Sequence, residues 1–250
     1  MILMCLPISF HPVTESKKDP QVTDVLTELG YNPQLLHVVA VCIITCWDQQ
    51  TFVANFKNCF STNGFSASNY PGMVNALQAF YKDSHKQSIT QRRGALFEDM
   101  CDIAFCHATD PEAHIHRRCQ LKFLDTHICG RRCPALDFAI EYSNRKIQLF
   151  ECKVSLDGYL CGKDPELKRR QKLTYMACVK WVAYQFGISM RSILVSLRSS
   201  ASATQYIVEE LPIGGLEVME HRELYSLLEA GFRNLKANPG HHSRSQGLVQ

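Results

Sequence analysis

The stretch ALDFAIEYSNRKIQLFECKVS, residues 135–155, decides the fold of this chain. Apolar residues dominate its two halves, which belong to strand-like runs at about 134–142 and 146–154. A short polar link, Ser143 to Arg145, joins the two runs. Such a link favours an antiparallel hairpin.

The hairpin is predicted to bring three charged side chains to one face. Side chains alternate along a strand, so Glu151 and Lys153 point the same way. Residues directly opposed across an antiparallel pair share a face, and an odd loop of three residues places Asp137 opposite Glu151. An even loop would need a β-bulge to restore that arrangement.

Regular elements continue on both sides of the hairpin. A helix is predicted from Arg92 by the apolar face that recurs every three to four residues through Phe105. A strand at about 115–124 follows, and after the hairpin Asp164 and Pro165 favour the start of a helix. A strand at about 192–198 comes next, so the order is helix, three strands, helix, strand.

Three regions are predicted along the chain: an N-terminal accessory region at 1–85, a main domain at 86–236 and a disordered tail at 237–250. The apolar run at 37–47 fits a strand or a helix equally well. Further elements are expected as a strand at 205–211 and a helix near 222–236.

Composition indicates a soluble intracellular protein, either cytoplasmic or nuclear. The chain has 250 residues, is 46% hydrophobic, and carries a formal charge of +3 from 27 basic and 24 acidic residues. Its 12 cysteines are spaced irregularly within apolar runs, as expected for buried thiols in a reducing compartment. The N-terminus lacks the basic segment of a signal peptide, and no apolar run approaches the roughly 20 residues of a membrane helix.

The three charged residues point to metal-assisted hydrolysis. Two neighbouring carboxylates repel each other, and a divalent cation such as Mg²⁺ or Mn²⁺ relieves that repulsion. A lysine beside them can orient an attacking water and offset charge in the transition state. These parts suit the cleavage of a phosphodiester bond.

Residues 92–198 resemble the core of the PD-(D/E)XK, or restriction-endonuclease-like, nuclease superfamily, in element order and in the spacing of Asp137, Glu151 and Lys153. The departure is Leu136, which stands where the motif has proline. The resemblance implies an α/β fold: an αβββαβ core with a mixed central sheet flanked by helices, plus a small N-terminal region.

The resemblance also implies roles for particular residues. Asp137 and Glu151 would ligate the metal together with Glu98 on the first helix, and Lys153 would be the catalytic lysine. Gln171 and Tyr175 are similar to a glutamine-x3-tyrosine element of the RecB-like branch, which adds Gln171 to the catalytic set and Tyr175 to the residues that bind nucleic acid.

Basic residues flank the predicted centre in sequence and would contact the phosphates of a nucleic acid, DNA in preference to RNA. Solvated surface charge is the alternative for each of them. The residues are Arg117, Arg118, Arg131, Arg132, Lys168, Arg169, Arg170 and Lys172.

Other interpretations of these residues stay open. Glu151 and Lys153 could form an ion-pair ladder on a solvated sheet face, and Glu98 could be a helix-surface acid. Histidines and cysteines between 114 and 133 could be assembled into a zinc site, although no recognised spacing occurs and buried cysteines with exposed histidines are favoured.

The predicted function is a divalent-metal-dependent nuclease. The alternative is a catalytically silent protein of the same fold that binds nucleic acid or a protein partner. The N-terminal region at 1–85 is the candidate surface for a second copy of the chain or a regulatory partner.

Overall fold

The computed structural model describes residues 7–13, 18–82, 86–108, 110–128, 134–143, 145–161, 166–200, 205 and 216–237, without the side chains of 86–87, 160–161 and 166–171. The predicted strand at 205–211, the tail beyond Ala237 and the boundary at residue 85 lie outside these residues. The described chain forms two compact units. One comprises residues 1–16 and 110–220, and the other comprises 17–109 and 221–250.

The first unit is an α/β structure built on a mixed open sheet. Its strands are β1 (Ile8–Pro12), β2 (His114–Phe123), β3 (Thr126–His127), β4 (Leu136–Tyr142), β5 (Lys146–Ser155), β6 (Ser189–Arg198) and β7 (Leu216–Val218). Within the described residues the order across the sheet is β1-β2-β4-β5-β6-β7, and β3 pairs with β2. The pairs from β1 to β5 are antiparallel, whereas β6 runs parallel to both β5 and β7.

Two helices connect β5 to its parallel neighbour β6: α6 (Leu156–Cys161) and α7 (Glu166–Gln185). Met176 and Val179 of α7 pack in one hydrophobic cluster with Leu149 of β5 and Leu194 of β6. One face of the sheet is therefore covered by α7. Burial of these apolar side chains, at about 25 cal/mol per Å² removed from water, holds the helix on the sheet.

The second unit is helical. It contains α1 (Pro20–Tyr31), α2 (Leu36–Thr45), α3 (Gln49–Ser61), α4 (Pro71–Tyr81), α5 (Lys86–Ala108) and α8 (His221–Ala237). Short polar motifs set the starts of two of these helices. Asp19 caps α1 through the amide of Gln21, and Asp48 forms a capping box with Thr51 at the start of α3.

The predicted order of helix, three strands, helix and strand is confirmed, with β3 and α6 as additional short elements. The ambiguous run at 37–47 is largely helical as α2. The helix that the sequence assigned to the main domain, α5, groups with the helical unit and not with the sheet. The fold is thus α/β with a mixed sheet, and its assignment to a restriction-endonuclease-like core stays a prediction.

Free thiols are buried, as the irregular spacing predicted. The side chains of eight cysteines are described, none of them is in a disulfide, and six of the eight are buried. No helix among the described residues is both long and apolar enough to cross a membrane.

We expect replacement of Gly231 by alanine to lower the free energy of unfolding by about 1–3 kcal/mol. An added Cβ on α8 would lie 2.5 Å from Cα of Ala104 on α5, and backbone cannot move aside as a side-chain tip can. Urea unfolding followed by circular dichroism measures the change.

Gly94→Ala is the matched control for this substitution. A Cβ at Gly94, also on α5, meets no heavy atom within 4 Å. Alanine there should leave stability unchanged or raise it by up to about 1 kcal/mol. Equal stability of the Gly231→Ala variant and the wild type would contradict the close packing of these two helices.

Candidate active site

The point where β4 and β5 separate brings Asp137 and Glu151 together. The two strands pair from Tyr142↔Lys146 to Phe138↔Phe150, and this register extended by one residue sets Asp137 opposite Glu151. The loop between the strands therefore has the odd length that the sequence suggested. Beyond Phe150, the amide of Cys152 donates a hydrogen bond of 2.8 Å to Oδ2 of Asp137. The carboxylate of Asp137 thus accepts a hydrogen bond from β5 at the point where the backbone pairing of β4 with β5 ends.

Lys153 lies on the same face of β5, two residues beyond Glu151. Its ammonium forms a very short ion pair with Oε1 of Glu151 and lies 3.7 Å from Oδ2 of Asp137. It also donates a 3.0 Å hydrogen bond to the carbonyl of Cys152 and sits 5.3 Å from the centroid of the Tyr159 ring. The convergence of Asp137, Glu151 and Lys153 at one point is confirmed.

A second lysine reaches the same carboxylates from α7. Nζ of Lys172 lies 2.5 Å from Oε2 of Glu151 and 3.2 Å from Oδ1 of Asp137. The four side chains, Asp137, Glu151, Lys153 and Lys172, are called the charge cluster below. Their formal charges, two negative and two positive, sum to zero.

The charge cluster is buried on its acidic side. The side chain of Glu151 is 0% exposed and that of Asp137 is 12% exposed, whereas Lys172 and Lys153 retain 17% and 24% exposure. A solvated ion-pair ladder is therefore excluded for Glu151. Solvent reaches the cluster along the lysines.

The two carboxyl groups titrate in opposite directions. Complete burial and the nearby charge of Asp137 raise the pKa of Glu151 to about 7, against the opposing effect of Lys172 and Lys153. Burial also acts to raise the pKa of Asp137, but Lys172, Lys153 and the amide of Cys152 together lower it. For Lys153, burial acts to lower the pKa, but Glu151 and Asp137 outweigh it and raise the pKa.

Glu151 is held by the ammonium groups of Lys153 and Lys172. Both of its carboxylate oxygens are buried, and neither has a partner in hydrogen-bond geometry, although each contacts an ammonium group. A buried acceptor without hydrogen bonds is costly. Two converging carboxylates nonetheless present the hard oxygen donors that a divalent cation such as Mg²⁺ prefers.

Among the residues that the structure describes, no further carboxylate, histidine or cysteine joins this pair. No three His, Cys, Asp or Glu side chains converge anywhere in the described part of the chain. Glu98, the predicted third ligand, is a half-buried residue of α5 in the helical unit. Its role stays a prediction.

Tyr175 is buried rather than available to a nucleic acid. Its side chain belongs to the hydrophobic cluster under the sheet, and its hydroxyl accepts a 2.7 Å hydrogen bond from the amide of Leu121 on β2. The prediction that Tyr175 binds nucleic acid is corrected accordingly, because 1% exposure leaves no contact surface. Gln171 lies on α7, but its side chain is outside the described residues.

The predicted basic contacts have mixed outcomes. Lys172 is directed at the acidic pair and not outward. Arg117 and Arg118 are half-buried on β2. The pairing of β2 with β4 sets Arg118 opposite Asp137, and the backbone of Arg118 has a φ of +37° there. Arg131 and Arg132 lie outside the described residues. The side chains of Lys168, Arg169 and Arg170 lie outside them as well. Contact with nucleic acid stays a prediction for these residues.

His116 of β2 contacts an aromatic ring and a carboxylate. His116 stacks on Phe10 with 3.9 Å between ring centroids, and its Nε2 lies 3.3 Å from Oε2 of Glu141. Cys119 is buried, and Cys129 and Cys133 lie outside the described residues.

Sequence reasoning missed Lys172 as a partner of the carboxylates. A signal for it exists, because Lys172 precedes Tyr175, Met176 and Val179 by three, four and seven residues. It therefore continues the buried face of α7 toward the start of the helix. A lysine at that position either snorkels to solvent or meets buried acids.

Comparisons with known proteins do not name a family. No family profile and no curated protein matches the chain. Among solved structures, protein VC1899 from Vibrio cholerae is similar with a TM-score of 0.40 and 14% identity. The match covers 92% of this chain but only 58% of that one, and at this TM-score it carries no conclusion about fold or function.

The titration of Glu151 should make the folded state less stable as the pH rises from about 4.5 to about 7. In this window the folded protein retains a proton on Glu151 that the unfolded chain has lost, because the folded pKa of about 7 exceeds the ordinary value of 4.5. More bound protons in the folded state mean that the unfolding free energy decreases with rising pH.

Glu151→Gln isolates this contribution, since other groups titrate in the same range. We expect the difference in unfolding free energy, wild type minus variant, to decrease between pH 5 and pH 7. The measurement is urea unfolding of both proteins across that range. A difference that stays constant or increases with pH would contradict the raised pKa.

Tyr175→Phe should lower the unfolding free energy by about 1–3 kcal/mol, because it leaves the buried amide of Leu121 without a partner. Tyr184→Phe removes a hydroxyl from the same helix at a side chain that is 78% exposed, and should change stability little. Thermal or urea unfolding compares the two variants. Equal effects would contradict the structural role of the Tyr175 hydroxyl.

Proposed function

We propose that this chain is a divalent-metal-dependent nuclease that hydrolyses phosphodiester bonds, of DNA in preference to RNA. The observation that carries the proposal is the convergence of Asp137, Glu151 and Lys153 where β4 and β5 separate. A restriction-endonuclease-like core is part of the proposal, and the mixed sheet with its parallel β5–β6 pair is consistent with it.

In the proposed centre, Asp137 and Glu151 hold Mg²⁺ or Mn²⁺ through their carboxylate oxygens. The bound cation would supply Lewis acidity and a water of lowered pKa. Asp137 is suited to this role because its lowered pKa keeps it ionised. The fixed position of Asp137, held by the amide of Cys152, orients the pair.

Lys153 would supply positive charge beside the scissile phosphate. Its raised pKa keeps the ammonium protonated at neutral pH, so it acts by electrostatic stabilisation and not as a general base. Its partial exposure leaves it accessible from solvent. Gln171 belongs to the proposed catalytic set, and Arg117, Arg118 and the other basic residues that flank the centre in sequence would contact the phosphates of the nucleic acid.

One observation favours the alternative, a non-cutting protein that binds nucleic acid or a protein partner. The charge cluster is already neutral without a cation, as a purely structural set of ion pairs would be. The two functions differ in one measurable respect, namely cleavage that requires both a divalent cation and the acidic pair.

We expect the purified chain to cleave DNA with Mg²⁺ or Mn²⁺ and to lose that activity with a chelator. Asp137→Asn and Lys153→Gln should each lower the rate by roughly 10²–10⁴-fold, because the first removes the charge of a metal ligand and the second removes the positive charge beside the reacting phosphate. The assay uses single- and double-stranded DNA and RNA, with product separated by gel electrophoresis.

Glu141→Gln is the matched control, because Glu141 lies on β4 four residues from Asp137 and pairs with His116 instead. It should cleave like the wild type. Cleavage that survives chelation, or that survives Asp137→Asn, would overturn the proposed mechanism. Binding without cleavage under every metal condition would favour the alternative.

A further inference from the structure

The ammonium groups of the charge cluster contact the same oxygens that a divalent cation would use. Lys172 contacts Oε2 of Glu151 and Oδ1 of Asp137, and Lys153 approaches Oε1 and Oδ2 of the same residues. All four carboxylate oxygens are therefore engaged by lysines. A cation that entered this neutral cluster would meet two positive charges within a few ångströms and would be repelled.

One of the two lysines must therefore move away for the carboxylates to bind a cation. Lys153 is the more firmly placed, because its ammonium also donates to the carbonyl of Cys152 and lies against the ring of Tyr159. Within the described part of the chain, the ammonium of Lys172 contacts only the two carboxylates. It reaches them on a long flexible stem from a different element, α7.

We propose that Lys172 is an exchangeable counter-ion, which neutralises Asp137 and Glu151 in the metal-free protein and gives way when a divalent cation binds there. This inference rests on the proposed function, since it presumes the metal centre. It adds a positioning residue to that centre. Lys172 keeps the two acids close together in the absence of metal and, as a competitor, sets how tightly metal binds.

The geometry explains why a lysine suits this task better than a fixed cation. Its four-carbon stem lets the charged group swing toward solvent, where Lys172 is already 17% exposed. The departing ammonium loses two ion pairs but regains hydration. The carboxylates exchange one monovalent partner for a divalent one at the same oxygens.

The test is the affinity of the full chain for Mn²⁺ and for Mg²⁺, measured by titration calorimetry without nucleic acid. Lys172→Gln removes the competing charge, and we expect it to bind Mn²⁺ at least about tenfold more tightly than the wild type. Lys180→Gln makes the same charge change eight residues along α7, about 12 Å away along the helix, and should bind like the wild type.

Circular dichroism establishes that the variants are folded. Lys172→Met, which roughly keeps the length of the side chain without its charge, is a second variant, and we expect it to bind Mn²⁺ as tightly as Lys172→Gln does. Tight binding by these variants and undetectable binding by the wild type would also support the inference. Equal or weaker binding by the Lys172 variants, while the wild type binds, would overturn it and leave the metal centre intact. If no variant binds either cation, the proposed metal centre is wrong and the inference falls with it.

Discussion

The first unit depends on neutralising a buried acidic pair. Asp137 and Glu151 lie within the sheet where little water reaches them, and placing two like charges there would cost several kcal/mol for each ion without compensation. Lys153 and Lys172 supply that compensation from two different elements, β5 and α7. The packing of α7 and the ionisation of the pair are therefore coupled, because the helix covers the apolar face of the sheet and also delivers one of the two ammonium groups.

The charge cluster lies at the end of the apolar sheet face that α7 covers. Ala139 and Leu149, directly opposed in the hairpin, belong to the hydrophobic cluster, and the next position on the same face holds Asp137 and Glu151. The strands separate there, so a backbone amide is left for a side chain to satisfy. The packed apolar residues therefore support the charged side chains from below. Lys153 is the most exposed of these and meets solvent.

Local rules account for the part of the site that the sequence predicted. Strand alternation and the length of one loop suffice to place Asp137, Glu151 and Lys153 together, since all three lie within 17 consecutive residues. Lys172 depends on how α7 is rotated over the sheet, which is a non-local outcome of packing. The same limit applies to Tyr175. Its hydroxyl accepts a hydrogen bond from the amide of Leu121 on β2, and this contact between residues far apart in sequence cannot be predicted from local patterns. The run 37–47 is ambiguous in sequence because a segment so rich in apolar residues has no hydrophobic periodicity that separates a helix from a strand.

The three-residue loop between β4 and β5 also constrains how this protein can change through evolution. Deleting one codon there, if the turn still took three residues, would slip the pairing by one position, set Cys152 and Val154 in the places of Glu151 and Lys153, and turn the two charged side chains to the other face of the sheet. Deleting two codons under the same condition would keep Glu151 and Lys153 on their face of the strand but would set Lys153 opposite Asp137. A change in this loop therefore keeps the acids together only where the pairing of β4 with β5 is unchanged, so the register of the two strands, and not the loop length alone, is what such a change must respect.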